Sequence, residues 1–567
     1  MLGRCCSICR LYNRTKYLHN LRSDACQRRS ARYQSQFPMK RLRRSAGRQG
    51  GPPMAKREFN VDQNMQLLAG DSGPQSLRYI SPTQTGVAFN GKPYATLDQA
   101  AHNLNRTGDF WAVNSKGEIT YTFLDKDPTG LYNSPKYANI VGDYVAGFTA
   151  FSTEQRAAAR DSLQLWDDLI APHFTEKNGK GAADISFMNT NTGPAQAAAF
   201  TPFYQGTHGK EQKIQGDVFI NQDQGDNFDL SYGGYGQTTL THEIGHAIGL
   251  SHVGDYNFSD DTNGDGIPDP ITYGGDAFIF QDSYQYSIMS YFHAGNTGAK
   301  GWANWNTGYA QTPQTPMVHD VAAVQLIYGA DLSTRTGDTT YGFHSSAGRE
   351  VFDFTKNIDP FLTIYDAGGH DTLDLSGWSH PSILDLRDGA FSSGFGSEAN
   401  AAQLNPLYGV NFSQATWTAI FEGRTGNPGY LSENIGIAYG TIIEDGKTGS
   451  GNDILRGNAV DNKLDGGAGN DNLNGAEGSD TLTGGAGNDT FVFAKYGPND
   501  TSIDTVTDFT SGQDKFDFRG FTGVKAANVQ IDNAHDMVHV DTDLNGSFET
   551  TIVFHGTDMV VADIIFG

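Results

Sequence analysis

Residues 448–492 read as five consecutive nonapeptides: TGSGNDILR, GNAVDNKLD, GGAGNDNLN, GAEGSDTLT and GGAGNDTFV. They follow the template G-G-x-G-x-D-x-U-x, in which U is apolar. A strict repeat of this length is typical of solenoids, in which each copy stacks on the next. Glycine permits tight left-handed turns, aspartate supplies a hard oxygen ligand, and the apolar residue points into a thin core. The spacing predicts a parallel β-roll whose turns bind calcium.

Alternate repeats face opposite sides of such a roll, because one full turn contains two nonapeptides. The first side then carries Asp453, Asp471 and Asp489, and the second carries Asn462 and Asp480. Calcium affinity follows the charge of the ligands. We therefore expect the first side to bind calcium more tightly and to nucleate folding. The second side should fill last or not at all.

A second motif, THEIGHAIGLSH, occupies residues 241–252. His242 and His246 are four residues apart, so on a helix they share one face and can bind a single metal ion. Gly249 allows the helix to break, and the turn returns His252 as a third nitrogen ligand. Three neutral imidazoles leave one coordination position open, which is typical of a catalytic zinc site.

Two further features accompany the three histidines. Glu243 is placed to reach a metal-bound water without being a ligand itself. Downstream, residues 287–291 read SIMSY. The pattern HExxHxxGxxH together with this string resembles the zinc helix and the Met-turn of the metzincins. That resemblance implies that Met289 packs beneath the three imidazoles.

A metzincin motif and a nonapeptide roll in one chain resemble the serralysins, over nearly all of the sequence from Gly70 onward. The resemblance implies an α/β metzincin protease domain at residues 58–330, with a short prosegment at its start. An all-β parallel β-roll with calcium-binding nonapeptide repeats and a C-terminal secretion signal follows at residues 331–567. The implied activity is that of a secreted zinc endopeptidase.

The resemblance also assigns roles in the site. One zinc ion is bound by His242, His246 and His252. Tyr291 serves as a displaceable zinc ligand at rest and as a donor to the oxyanion during turnover. Glu243 takes a proton from water and passes it to the leaving amine.

Several structural calcium ions are implied as well. A family site between the domains matches one group of residues: Arg335, Gly337, Thr339, Asp366, Gly368, Gly369 and Asp371. The roll and its entry supply the others: Glu444, Gly449, Gly451, Asp453, Gly466, Gly467, Gly469, Asp471, Gly478, Asp480, Gly484, Gly485, Gly487 and Asp489.

The C-terminal run Asp563–Phe566 resembles the export signal of the one-step type I secretion route, and Gly567 after it departs from the family pattern. The expected partners are therefore protein or peptide substrates, the type I secretion machinery and a proteinaceous inhibitor. The protein is expected to be an extracellular monomer.

Charge and cysteine are distributed unevenly. Residues 1–57 hold 15 of the 40 Lys and Arg, all four Cys and a single acid, whereas the remainder has 25 basic residues against 63 acidic ones. The acidic charge of residues 58–567 disfavours binding to nucleic acids. The sequence contains no apolar run of 18 residues, so it predicts no membrane-spanning helix. The leader lacks the apolar core of a signal peptide. We expect the mature enzyme to begin downstream of Met54, after loss of a short prosegment.

Local patterns predict the elements around the metal motif. Ala159, Leu163, Trp166 and Ile170 recur at helical spacing, after a Ser152 or Thr153 cap. Strands are expected at 119–124, 185–188 and 218–220, and a closing helix at 320–328 that ends at Gly329. Residues 195–200 are either the edge strand that receives the substrate or an ordinary packed strand.

The loop from Asp261 to Asp269 has the D-x-N-x-D-G-x-x-D spacing of an EF-hand. Thr272 stands where the bidentate Glu of such a loop belongs, so a weak calcium site and a solvated loop remain equally open.

Two other functions compete with a peptidase. A calcium-binding adhesin or surface-layer protein with an inactive protease domain would show damage in the ligand set, and the sequence shows none. A zinc hydrolase that acts on non-peptide amides would use the same chemistry.

Overall fold

A computed structural model describes most of the chain from Tyr79 onward. Its gaps are residues 114, 129–131, 133–146, 178–182, 192–193, 195, 203–213, 257–268, 300–302, 305–308, 395, 397–400, 409, 418–430 and 496–501. The basic leader and nearly all of the EF-hand-like loop lie outside the described residues. No helix among those described is long and apolar enough to cross a membrane.

The chain forms two compact units. The first comprises Thr85–Thr297 and Tyr309–Ala330. The second comprises Asp331–Gly567 with two short segments, one ending at Gln84 and one at residues 298–308.

The first unit is built on a five-stranded sheet in the order β2-β1-β3-β5-β4. Its strands are β1 Glu118–Phe123, β2 His173–Glu176, β3 Ile185–Thr190, β4 Ala197–Ala199 and β5 Asp217–Asn221. All neighbours are parallel except β4, which runs antiparallel to β5 at one edge. The helices are α1 Leu97–Leu104, α2 Thr153–Asp167, α3 Tyr235–Ala247, α4 Tyr273–Asp276 and α5 Val318–Tyr328.

The helix ends follow from the sequence. Ser152 caps α2, because its hydroxyl accepts from the Gln155 backbone N–H and the Gln155 side chain accepts from the Ser152 N–H. The predicted apolar face of α2 is buried, with Trp166 fully enclosed. Gly329 ends α5 with φ of 78°, a left-handed conformation that glycine adopts without strain. These predictions are confirmed within two residues.

The second unit consists of short strands in long sheets. Residues 298–308 contribute β6 Ala303–Asn304, whereas β7 Tyr309–Ala310 belongs to the first unit. From Asp331 onward, the strands are β8 Thr340–Gly342, β9 Leu362–Ile364, β10 Thr372–Asp374, β11 Ile383–Asp385, β12 Phe391–Ser392, β13 Ile435–Ile437, β14 Asp445–Lys447, β15 Ile454–Arg456, β16 Lys463–Asp465, β17 Asn472–Asn474, β18 Thr481–Thr483, β19 Thr490–Ala494, β20 Ile503–Phe509, β21 Lys515–Gly520, β22 Val529–Asp532, β23 Met537–Val540, β24 Thr550–Gly556 and β25 Ile564–Ile565. A further helix, α6, spans Ala401–Tyr408.

Two parallel sheets make the roll. One runs β14-β16-β18-β20, and the other runs β11-β15-β17-β19-β21-β25. Within the repeats, paired residues are 18 apart, as in Leu455 with Leu473 and Leu464 with Leu482. The eighth residue of every repeat is fully buried. The predicted β-roll, with two nonapeptides in each turn, is therefore confirmed.

The C-terminal end is folded into the roll. Strand β25 pairs in parallel with β21. Burial alone would raise the pKa of Asp563, but hydrogen bonds from Ser511, Lys515 and backbone N–H groups lower the pKa to about 2. The residues expected to signal export therefore belong to the folded second unit.

Candidate metal centre

Helix α3 and the turn after it bring three imidazoles together. His242 and His246 lie one helical turn apart on α3, and Gly249 follows with φ of 109°. A side chain at Gly249 would lie 2.2 Å from the carbonyl oxygen of Asp109, so only glycine fits this break. The chain then returns His252, and one ring nitrogen from each histidine lies within 4.8 Å of the other two.

Backbone carbonyl groups fix the tautomer of each ring. Each Nδ1 is at hydrogen-bonding distance from a carbonyl oxygen: that of Ile288 for His242 (2.8 Å), of Leu250 for His246 (2.8 Å) and of Tyr256 for His252 (3.1 Å). Because a carbonyl can only accept, each Nδ1 carries the proton. Every Nε2 is thus left with a lone pair directed at its neighbours.

The spacing and charge of the rings fit zinc. The Nε2 atom of His252 lies 3.3 Å from that of His242 and 3.1 Å from that of His246. Tetrahedral zinc with Zn–N bonds of about 2.0–2.1 Å separates its nitrogen ligands by about 3.3 Å. Burial lowers the pKa of His242 to about 4 and of His246 to about 3, which keeps both rings neutral.

Glu243 is buried beside the histidines. Its Oε2 atom has no hydrogen-bond partner among the described residues. Burial raises the pKa of this carboxyl to about 8. An enclosed carboxylate without a partner costs stability, so its presence fits a role in chemistry rather than in folding.

The SIMSY turn lies directly against α3. A Cβ atom on Gly245 would lie 2.6 Å from the sulfur of Met289 and 3.3 Å from the ring of Trp166. Met289 is fully buried. The methionine therefore packs against α3 at Gly245, the residue before His246.

A buried carboxylate on α5 anchors the start of this turn. Asp320 accepts hydrogen bonds from the Ser287 hydroxyl (2.6 Å) and from the backbone N–H groups of Ile288 (2.6 Å) and Met317 (2.8 Å). The carbonyl group of Ile288 in turn accepts from His242. Asp320 thus holds the backbone group that orients the first histidine.

Replacing Asp320 with alanine should lower stability by about 2–5 kcal/mol, because two buried N–H groups and a hydroxyl lose their acceptor. Zinc affinity should fall as well. Asp320→Asn is the matched control, since its carbonyl oxygen can still accept from both N–H groups. Thermal unfolding and competition with a chelator measure the two effects. Equal melting temperatures for the alanine variant and the parent would contradict the assignment.

A second buried carboxylate anchors the other end of the turn. Asp282 accepts from the Tyr256 phenol and from the Ser290 hydroxyl, both at 2.8 Å. Tyr256 supplies the carbonyl group that fixes His252, and Ser290 precedes Tyr291. The ring of Tyr291 packs 4.4 Å from the His252 ring, measured between centroids. Neither Asp282 nor Asp320 belongs to a motif from which the sequence predicts such a role.

The residues expected to form the calcium site between the domains lie in the second unit, in contact with Glu444 from the expected entry to the roll. Thr339 donates its backbone N–H to Asp371 Oδ1 (2.8 Å), and its hydroxyl donates to the Gly337 carbonyl (2.8 Å). A Cβ on Gly369 would lie 2.7 Å from that same carbonyl. Asp371 donates its N–H to Glu444 (2.7 Å). These contacts gather carbonyl and carboxylate oxygens, which are the ligands that calcium prefers.

Arg335 and Asp366 face neighbouring tyrosines. Arg335 has φ of 50° and donates to the Tyr341 phenol (2.9 Å) and to the Tyr365 carbonyl (2.7 Å). Asp366 accepts from Tyr341 (2.6 Å) and from the N–H of Gly368 (2.9 Å). Both oxygens of Asp366 are thus already engaged within the protein.

The aspartates of the repeats form a ladder on the first side of the roll. Each donates its N–H to the next: Asp453 to Asp471 (2.7 Å), Asp471 to Asp489 (2.9 Å) and Asp489 to Asp514 (2.9 Å). The turns stack so closely that a Cβ on Gly469 would lie 1.6 Å from the Gly451 carbonyl. The other predicted glycines of this side lie in these turns: Gly449, Gly466, Gly467, Gly484, Gly485 and Gly487. Gly478 lies in the turn of Asp480 on the second side, where a Cβ would lie 2.6 Å from the Val460 carbonyl oxygen.

Buried carboxylate oxygens occur in the turns on both sides of the roll. The Oδ2 atoms of Asp371, Asp453 and Asp471 have no hydrogen-bond partner in the part of the chain that the structure describes. Burial raises the pKa of Asp371 and Asp471 to about 7, and that of Asp453 to about 6. A bound cation would compensate for the burial of these carboxylates and for their missing hydrogen bonds, so these residues fit calcium.

The sequence analysis missed members of both ladders. Asp514 extends the first side, and Asp504 accepts from the N–H of Asp480 (3.0 Å) on the second. A further group, Asp541, Asp543 and Glu549, brings three carboxylates within 4.8 Å of one another, two of them exposed. Its D-x-D-x-N-G spacing was visible in the sequence.

Comparison with known proteins agrees with this architecture. The family model for the peptidase M10 serralysin C terminal matches residues 330–404 and 408–549. The chain is 39% identical over 454 residues to metallopeptidase AprA of Pseudomonas marginalis, covering 79% of this chain and 83% of that protein. It is 37% identical to serralysin G of Dickeya chrysanthemi (76% and 79% covered) and 33% identical to serralysin of Photorhabdus luminescens (82% and 84% covered).

A three-imidazole centre beside a buried glutamate, on a chain that ends in a parallel β-roll, defines a metzincin-type metalloprotease architecture. With relatives of this identity and coverage, the chain belongs to the serralysin family.

Proposed function

We propose that the protein is a secreted, zinc-dependent endopeptidase that cleaves extracellular proteins. The observation that carries the proposal is the Nε2 atom of His252, which lies 3.3 Å from that of His242 and 3.1 Å from that of His246, beside the partnerless Oε2 of Glu243. His242, His246 and His252 would hold the metal. Zinc, when bound there, supplies a Lewis acid that polarises the scissile carbonyl and acidifies water.

Glu243 serves as general base and then as general acid. A cation held by the three histidines would lower the raised pKa of Glu243 and leave the carboxyl ionised. Its free oxygen can then accept a proton from the attacking water as the new C–O bond forms. The same carboxyl then gives that proton to the amine nitrogen as the C–N bond breaks. Asp282 is also buried in the described site with one partnerless oxygen, but its other oxygen already accepts from Tyr256 and Ser290.

Tyr291 is proposed as the donor to the oxyanion. Its ring lies against His252 and 5.2 Å from the ring of Tyr256, between centroids. The hydrogen bond from Ser290 to Asp282 positions the backbone next to it. A phenol held at this place can donate to negative charge that develops on the carbonyl oxygen.

Strand β4 is proposed as the substrate platform. It forms one edge of the five-stranded sheet and pairs only with β5 among the described strands. An extended peptide can add to such an edge through backbone hydrogen bonds. The small side chains of Ala197–Ala199 impose little selectivity on what binds.

The second unit is proposed to bind several calcium ions and to fold on binding them. The buried, partnerless oxygens of Asp371, Asp453 and Asp471 support this role. We propose export by a type I machinery, with the roll folding outside the cell, where calcium is abundant. Because the ladder residues are acidic, they repel one another until calcium is bound.

A casein zymogram with and without o-phenanthroline tests the enzymatic proposal. We expect a cleared band that the chelator abolishes and that added zinc restores. An adhesin with an inactive protease domain would give no band under either condition. A hydrolase of non-peptide amides would also leave casein intact but would release amine from small amide substrates in a zinc-dependent manner.

A further inference from the structure

One turn of the roll departs from all its neighbours. In the regular turns, the aspartate at the sixth place accepts the N–H of its counterpart one full turn earlier. Asp471, for example, accepts from Asp453 at 2.7 Å through Oδ1. Its Oδ2 atom is buried and has no hydrogen-bond partner in the described chain. The regular turn thus presents an unengaged carboxylate oxygen.

The turn at residues 457–462 has asparagine at that place, and its side chain is fully engaged. The Oδ1 atom of Asn462 accepts the N–H of Asn458 (2.8 Å). Its amide group donates to the carbonyl of Glu444 (2.8 Å) and to the side-chain oxygen of Asn458 (3.1 Å). Both the oxygen and the amide group of this side chain are therefore hydrogen-bonded within the protein.

Asn458 completes the pattern. Its amide group donates to the carbonyls of Ile443 (2.8 Å) and Leu386 (3.1 Å). Two neighbouring asparagines therefore direct their N–H groups at three backbone carbonyl oxygens. Calcium requires oxygen ligands, and an N–H donor that occupies a carbonyl lone pair competes with the ion for it.

The backbone of this turn also differs. At the second place, Gly467, Gly485 and even Ala476 have φ between 76° and 96°, whereas Asn458 is not left-handed. At the fourth place, Gly469, Gly478 and Gly487 have φ between 111° and 153°, whereas the fourth residue of this turn is a valine without positive φ. The turn thus lacks both positive-φ conformations that the three later turns have, as does the first turn, where Gly449 and Gly451 have no positive φ either.

We propose that the Asn458–Asn462 pair closes this turn in place of a calcium ion. The inference rests on the proposed calcium function of the roll and deepens it. The second side of the roll then contains one turn that forms without metal, next to Glu444 at the entry to the roll. Since each repeat contacts only its neighbours, a turn that folds without metal can provide the surface on which the calcium-dependent turns stack.

The experiment counts calcium on the full-length protein by elemental mass spectrometry after removal of free ions. The melting temperature is also measured as a function of calcium concentration. The slope of this dependence reports the number of ions released on unfolding. The variants are N458G/N462D, which restores the template, N462D alone, N458A/N462A, and D471N as a control on the regular side.

We expect N458G/N462D to gain one calcium ion and a steeper slope, and N462D alone to change in the same direction. N458A/N462A should keep the parental count and slope but melt at a lower temperature even in saturating calcium. D471N should lose calcium and have a shallower slope.

The inference is overturned if N458A/N462A loses an ion, because the asparagines would then be ligands. It is overturned equally if both N462D variants keep the parental count while D471N loses calcium. A parent that holds no calcium, with D471N unchanged from it, would overturn the proposed function of the roll and the inference together, so the two failures are distinguishable.

Discussion

Glu243→Ala should lower peptide hydrolysis by at least ~10²–10⁴-fold while the protein keeps its fold and its zinc. The loss of general base catalysis alone has this magnitude, and the loss of water orientation adds to it. Glu243 is not one of the three nitrogen donors, so zinc content should stay at one ion per chain. The side chain is buried with an oxygen that makes no hydrogen bond in the described structure. Its removal therefore should not lower the melting temperature.

Three measurements separate this role from a structural one. Turnover of a fluorogenic peptide gives the rate, elemental analysis gives the zinc content, and thermal unfolding reports the fold. Tyr291→Phe is the matched control, and it should cost less than the Glu243 variant because the metal still stabilises the oxyanion. More than a tenth of the parental activity in Glu243→Ala would contradict the assignment.

Much of the metal centre could be predicted because its geometry is local. The i, i+4 spacing on a helix and one glycine break place His242, His246 and His252 together without knowledge of the rest of the fold. The roll could be predicted for a related reason, since a nine-residue period with one apolar position dictates an 18-residue register. In both cases, sequence spacing translates directly into distance.

The supports of the site could not be predicted in this way. Asp320 and Asp282 act through hydrogen bonds to the turn that carries Met289, and their partners are set by tertiary packing rather than by a motif. A buried aspartate has the same sequence signature as an exposed one. Only the structure shows that these carboxylates hold the backbone on which the imidazoles depend.

The ladder beyond the repeats was missed because the period breaks. Asp480 bonds to Asp504, 24 residues on, and Asp489 bonds to Asp514, 25 residues on. Longer connections replace the nonapeptide there, although the sheets continue in register. On the second side, Asp480 therefore has one carboxylate neighbour, Asp504, and one neutral neighbour, Asn462. We expect one calcium site there, between Asp480 and Asp504, rather than an empty side.

Asp471→Asn should therefore raise the calcium concentration needed to fold the roll by roughly tenfold or more, and Asp480→Asn should raise it much less. Asp471 lies between Asp453 and Asp489, so its carboxylate can contribute to the expected calcium sites on both sides of its turn. Asp480 lies between the amide of Asn462 and the carboxylate of Asp504, so its loss weakens a single calcium site.

Folding and calcium binding form one event here, because the ligand oxygens of successive turns meet only when the turns stack. The weaker binding of the Asp471 variant must therefore appear as a shift of the folding midpoint, in addition to the lower calcium count. Calcium titration followed by circular dichroism measures both midpoints in the full-length protein. Glu243→Ala provides the background for both variants, since it prevents self-digestion during the titration. Equal shifts for Asp471→Asn and Asp480→Asn would contradict the asymmetry, because they would mean that the charge of the neighbouring turns does not set the affinity.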